Sequence, residues 1–162
     1  MLRDSPAFLY LRHLIGRPES GRVMSVVFRD DQYIPIQGMY GSTWRADPAK
    51  AGAGTLLEHS IHDLDLLEWL FGDIEAVAAQ TGRFHQIAGI EDLAVVTLRY
   101  ASGAIGTLTS VWHDLLERPS LRRVEVLCER GFFVLEGDVF GPVRWTRPDD
   151  EGSAENLSLI HI

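Results

Sequence analysis

The sequence contains one cysteine, Cys128, in 162 residues. That excludes an internal disulfide and any zinc site built from several cysteines. Cys128 ends the run Val124-Glu125-Val126-Leu127-Cys128, which suits a buried strand, so its thiol is expected to be a core group. Positive charge is scarce as well: 15 Lys and Arg against 23 Asp and Glu leave a net charge of -8. Such a chain has no general attraction for nucleic acid phosphates or anionic lipid. No uninterrupted apolar run approaches the roughly 18 residues of a membrane helix. The opening Met1-Leu2-Arg3-Asp4 does not begin a signal peptide. The expected location is the cytoplasm. Neither G-x-G-x-x-G nor G-x-x-x-x-G-K-[ST] occurs, so a phosphate-cradling loop is not expected in this chain.

What is present suits one soluble globular domain: 46% hydrophobic and 23% charged residues. Surface scaling gives about 8,000 Å² exposed when folded against about 26,000 Å² unfolded, enough burial for a core without staples. A doubly wound nucleotide domain plus a separate substrate domain needs about 300 residues, which this chain does not have.

Ser5-Pro6 opens a helix, with a cap residue before proline, and Phe8, Leu11, Leu14 and Ile15 recur at helical spacing. Residues 22–29 alternate and read as a strand. Residues 30–53 show little periodicity and hold several glycines, the composition of a functional loop. Residues 54–71 read as one strong helix closed by Gly72. Strands are expected over 75–83, 91–100, 104–113, 122–128, 132–136 and 143–146, with hairpins at Ser102-Gly103 and Glu129-Arg130-Gly131. Runs of hairpin strands with few helices predict an α+β fold, a predominantly antiparallel sheet with helices on one face. The domain is expected over residues 1–146, followed by a poorly ordered acidic tail, 147–162, whose apolar end from Leu157 to Ile162 matches no pattern. Leu93, Val96, Leu98 and Tyr100 interleave with Val95, Thr97 and Arg99, so neither sheet face is cleanly polar. An open apolar face predicts a homodimer or higher homo-oligomer formed through the sheet.

The expected helix carries the chemistry. At about 100° per residue, Glu58, His62, Asp65 and Trp69 share one stripe about 60° wide. Leucines and isoleucines occupy nearly every other side, the pattern of a buried helix. Ionisable groups there must face one another or a cavity. A carboxylate four residues from an imidazole can fix its tautomer and raise its basicity, which suits proton transfer. The same residues also suit a satisfied polar cluster that only fixes the helix. His59 and Asp63 form a second pair at this spacing, read as structural support or as lining of the same pocket. His59 and His62 lack metal-site spacing, so no metal is expected.

Residues 44–72 resemble the C-terminal substrate domain of the glucose-fructose oxidoreductase / inositol dehydrogenase / MocA family. That pattern has a glycine-rich turn, a carboxylate, a histidine four residues on, an aspartate three further, and a Trp-Leu-x-Gly ending. Gly52-Ala53-Gly54, Glu58, His62, Asp65 and Trp69-Leu70-Phe71-Gly72 fall on it in register. Gly21-Arg22-Val23, and Glu91-Asp92-Leu93 with Ser102-Gly103-Ala104, extend the resemblance to roughly residues 5–115. It implies that His62 is the catalytic histidine and that Glu58 stands at the catalytic aspartate, one methylene longer. Asp65, with His59 and Asp63, would support the site. Trp44, Arg45 and Lys50 fall where the family contacts substrate; a surface ion-pair role suits Arg45 and Lys50 equally. Asp31 and Gln32 suit either the pocket lining or a solvated loop.

The implied reaction is hydride transfer between a sugar, polyol or related hydroxyl compound and NAD or NADP. Nicotinamide-assisted elimination or glycoside cleavage is also compatible with the family. The cofactor domain and its lysine precede the matched region. The resemblance therefore implies that this chain binds no cofactor and is inactive alone. Its alternative role is that of a stand-alone binding or oligomerisation module.

Overall fold

The computed structural model describes residues 2–38, 40–148 and 150–154. Its core is one eight-stranded sheet: β1 (Val23–Tyr33), β2 (Ile74–Gly82), β3 (Leu93–Tyr100), β4 (Ile105–His113), β5 (Leu121–Cys128), β6 (Gly131–Leu135), β7 (Val143–Arg147) and β8 (Asp150–Ala154). The spatial order is β2-β3-β4-β1-β5-β6-β7-β8. Every neighbouring pair is antiparallel except β1 and β4. The α+β expectation therefore stands, with one parallel pair at the centre.

Two helices cover one face: α1 (Pro6–Ile15) and α4 (Ile61–Phe71), with the short α2 (Pro48–Ala51) and α3 (Thr55–Glu58) between β1 and α4. The inward residues of the strands, among them Val26, Phe28, Val96, Leu98, Val124, Val126 and Phe133, meet Phe8 and Leu11 of α1 and Leu66 and Leu67 of α4. Each fully buried side chain of this size contributes about 1.5–3 kcal/mol. Cys128 belongs to this core, and burial pushes its thiol up to about 11, so it stays a neutral packing group. The other face is open and carries exposed Val27, Val95, Ile105, Leu127 and Phe132.

Several boundaries differ from the sequence reading. β1 continues through Asp30 and Asp31 to Tyr33, because those acidic residues find partners beneath the sheet and at its end. Residues 34–53 are a loop with short elements: a 3-10 turn over Thr43–Ala46 and α2, capped by Asp47 through Ala49 N–H. A small second core of Ile34, Ile90 and Trp112 pins this loop. The expected tail is partly sheet, since β7 runs to Arg147 and β8 pairs with it. The Leu157–Ile162 segment lies outside the described residues. Ser5 precedes α1 as expected but does not cap it; its hydroxyl donates to the Val139 carbonyl. No helix of the described residues is long and apolar enough to cross a membrane.

Candidate functional site

The helix expected over 54–71 is two helices. α3 ends at Glu58, and α4 starts at Ile61 after a turn at His59 and Ser60. The cause is a buried polar seam. Ser60 Oγ donates to Ser110 Oγ of β4 at 2.6 Å and lies 3.3 Å from Asp30 Oδ2 of β1; Thr55 and Ser110 share a hydroxyl bond of 2.7 Å. Such side-chain bonds compete with helix continuation. The break takes Glu58 out of the expected stripe, while His62, Asp65 and Trp69 stay on one face of α4.

Glu91, just before β3, fixes α3. Its carboxylate accepts Gly54 N–H at 2.7 Å and Leu56 N–H at 3.2 Å, and its carbonyl accepts Thr55 N–H at 2.9 Å. The approach leaves no room for a side chain at residue 54: a Cβ there would lie 1.7 Å from the Glu91 carbonyl oxygen.

Glu58, with only 12% of its side chain exposed, pairs with Arg45 Nε at 2.6 Å. Arg45 also donates to Ser42 Oγ and lies 4.4 Å over the Trp44 ring. Among the described residues no hydrogen bond joins Glu58 to His62, so the expected carboxylate–imidazole pair is replaced by Glu58–Arg45. His62 is exposed, and its imidazole has no hydrogen-bond partner among the described residues. It opens on a pocket of about 510 Å³ that also includes Asp4, Ser5, Arg122, Val139 and Phe140.

Behind His62 lies a buried charge cluster. Arg122 of β5 stands opposite Asp30 of β1 in the sheet register. Its Nε donates to Asp63 Oδ1 at 2.8 Å, its NH1 to Asp138 Oδ1 at 2.9 Å, and its NH2 lies 2.8 Å from His59 Nε2. His59 Nε2 also lies 3.0 Å from Asp30 Oδ2. Burial, then the Asp30 charge, push the Asp63 carboxyl up to about 7. Burial alone would raise Asp30 too, but the His59 hydrogen bond and the Arg122 charge outweigh it and hold Asp30 below the usual carboxylate range. Asp30 Oδ1 and Asp63 Oδ2 have no other partner. One proton on Asp63, shared with Asp30, satisfies both. Ligand atoms of Asp30, His59 and Asp63 lie within 4.8 Å of one another, the spacing of a metal-ligand set. The Arg122 guanidinium already supplies the positive charge there.

The structure thus brings together some of the expected site residues and separates others. Trp44, Arg45 and Glu58 form one group; His62 faces the pocket; His59 and Asp63 meet through Arg122 rather than each other. Lys50 pairs with Asp47 at the surface, and Asp65 pairs with Arg3 at 2.7 Å, tying the start of the chain to α4. Trp69 packs under Arg12, 4.1 Å from its ring. Asp31 is buried by Arg29 and Arg118, and Gln32 lies on β1 opposite Trp112. Asp30, Arg122 and Ser110 escaped the sequence reading, and Glu91 entered it only through the family resemblance. Two carried a signal: Asp30 continues the inward parity of Val26 and Phe28, and Arg122 that of Val124 and Val126. A charge at an inward strand position needs a buried partner.

The one parallel strand pair is not joined by a glycine turn running directly into a helix N-terminus. The domain is an eight-stranded sheet with helices on one face, and His62 lines a pocket.

That architecture recurs in solved oxidoreductases. Levoglucosan dehydrogenase, solved with NADH and L-sorbose, superposes with a TM-score of 0.81 at 19% identity, over 99% of this chain and 48% of that one. The WlbA dehydrogenase from Bordetella pertussis, solved with NADH and UDP-GlcNAcA, gives 0.75 at 24% identity, over 94% of this chain and 42% of that one. In sequence, 1,5-anhydro-D-fructose reductase from Ensifer adhaerens is 35% identical over 95 residues, 56% of this chain and 26% of the relative. The chain spans less than half the length of each. The profile of the GFO/IDH/MocA C-terminal domain matches residues 8–134. The chain belongs to the GFO/IDH/MocA oxidoreductase family, and the matched region is its C-terminal domain.

Proposed function

We propose that this chain is the substrate-binding and dimerisation half of an NAD(P)-dependent oxidoreductase acting on a sugar, polyol or related hydroxyl compound, and that it is inactive alone. The observation that carries the reading is His62: an exposed, unpartnered imidazole at a pocket, on the α4 segment of a family C-terminal domain. An imidazole nitrogen can take the proton of a substrate hydroxyl during oxidation and return it during reduction. Glu58 serves the site through Arg45, whose guanidinium lies over the Trp44 ring and donates to Ser42 Oγ. The hydride acceptor is a nicotinamide held by a nucleotide-binding half outside the described residues.

The open sheet face supports the second part of the proposal. Val27, Val95, Ile105, Leu127 and Phe132 leave an apolar surface that a second copy of the chain would cover. The cell compartment proposed is the cytoplasm.

Two solution measurements on the chain alone test this reading together. Calorimetry with NADH and NADPH is expected to give no saturable heat, and light scattering the mass of a dimer. Micromolar nucleotide binding contradicts the division of labour, and a monomer at high micromolar concentration removes the dimerisation role.

A further inference from the structure

β2 forms one outer edge of the sheet, and among the described residues no strand pairs with its far side. An edge of nine residues presents a row of outward backbone N–H and C=O groups to any strand that approaches. β2 also lacks the usual protection of such edges. It contains no proline and no lysine, and its single charge, Glu75, and its single irregularity, between Ile74 and Ala76, both lie at its start. The other edge differs: β8 has only five residues and includes Asp150 and Glu151. We propose that β2 pairs antiparallel with β2 of a second copy of this chain, about a two-fold axis at Ala78, as an interface separate from the open sheet face.

The strand is uncovered on both faces from Glu75 to Thr81. Val77 and Ala79 belong to the helix side, since they stand opposite the buried Leu98 and Val96 of β3. Val77 is nevertheless 62% exposed, because the helices do not reach over this edge. A groove of about 570 Å³ runs there, with Val77 and Ala79 on its floor and Leu56, Ile61 and Leu64 on its helix wall. Ala76, Ala78 and Gln80 point to the open side, opposite Arg99, Thr97 and Val95.

The unpaired ladder calls for an extended segment as its occupant. The residues of β2 suit their own copy. Ala78 is the midpoint of Ile74–Gly82, so an axis there pairs the whole strand. Residues directly opposite in an antiparallel pair share a face, so the two-fold joins helix side to helix side. Val77 then meets the partner's Ala79, and the two grooves share one apolar floor. Ala76 meets the partner's Gln80, and Ala78 meets the partner's Ala78. Each Glu75 falls across from the partner's Thr81, with the two carboxylates at opposite ends of the ladder, about 20 Å apart, so no like charges face each other. The open faces of both copies remain available for the face-to-face contact. One strand pair is a smaller contact than a sheet face, so face dimers form first and pair through their edges as concentration rises.

The test reads the register by cross-linking and the assembly by mass, both on the full chain. The native Cys128 is buried, so a single introduced cysteine reports on the edge. Ala78→Cys is expected to form an intermolecular disulfide at least about tenfold faster than Gln80→Cys. Cα atoms opposite each other at the axis lie about 4.5–5.5 Å apart, within disulfide range, whereas the two copies of residue 80 lie about 14 Å apart. Light scattering from low micromolar to near millimolar concentration is expected to rise from two chains toward four. Ala78→Lys, a change at an exposed position, is expected to hold it at two with an unchanged melting temperature. Equally slow oxidation of both cysteine variants, with the parent fixed at two chains, overturns the edge pairing and leaves the face dimer standing. A parent that rises only from one chain to two, with fast oxidation of Ala78→Cys, supports the edge pairing and removes the face dimer. If removal of residues 155–162 abolishes the rise while Ala78→Cys oxidises slowly, the edge takes that segment of another copy and the pairing of two β2 strands is overturned.

Discussion

Replacing Arg122 by Met is expected to remove roughly 3–5 kcal/mol of stability at neutral pH, a large part of a typical domain's 5–15 kcal/mol. Methionine keeps most of the buried stem volume, so packing changes little. What is lost is the charge that holds Asp63 and Asp138 and stands 3.9 Å from Asp30, in a place where Asp30 and Asp63 are buried. The effect carries its own pH signature. Asp63 binds its proton more tightly folded, at about 7, than it does unfolded. The native state therefore holds more protons than the unfolded state between the ordinary carboxylate value and about 7, and stability falls as pH rises through that window. Above it the penalty is complete. Arg122→Met steepens the fall, since both carboxyls then resist ionisation more. Asp63→Asn, which keeps the shape and cannot ionise, removes it. The depressed Asp30 acts below the window and does not interfere. Urea denaturation at several pH values between 5 and 8 reads all three proteins. An unchanged slope in Asp63→Asn would show that the shared proton is not there.

Gly54→Ala is the second large effect. The added methyl would sit 1.7 Å from the Glu91 carbonyl oxygen and 2.6 Å from its carbon and nitrogen. Both are backbone, so the strand entry and α3 must separate. Separation breaks three hydrogen bonds to Glu91 and strains the Thr55–Ser110 bond below them. Overpacking and lost anchoring together predict a cost of about 3 kcal/mol or more. Glu91→Gln leaves the backbone in place and weakens only the side-chain clamp, for about 1 kcal/mol. A thermal-melt comparison separates them, because the glycine variant should fall much further. Equal losses would mean that the clamp, and not the close approach, fixes α3. The consequence for function is direct, since α3 carries Glu58.

These residues also show where the sequence was readable. The alternation of Val124, Val126 and Cys128, and of Val96, Leu98 and Tyr100, is set by one buried face and can be seen locally. The helix end at Gly72, with positive φ, is equally local. The resemblance marked His62 and Glu58, but their mutual geometry was out of reach. It depends on Ser60 being drawn toward Ser110, fifty residues away, and Asp30, thirty residues away. No helical wheel contains those partners. Arg122 and Asp30 were hidden for a related reason: only the pairing of β1 with β5 sets one across from the other. The short elements over 43–51 rest on a cap and on the Ile34, Ile90 and Trp112 cluster, neither of which has a period. The outer strand β8 is short and polar, so it carried no strand signal.

In the proposed function this chain supplies the substrate side of a hydride-transfer site, and His62 moves the proton there. The most direct measurement joins or mixes the chain with a nucleotide-binding half of the same family and follows NAD(P)H formation with a sugar or polyol. Turnover is expected that neither half shows alone, with a fall in kcat of about 100-fold or more in His62→Asn and KM little changed. Turnover that survives His62→Asn undiminished would contradict it.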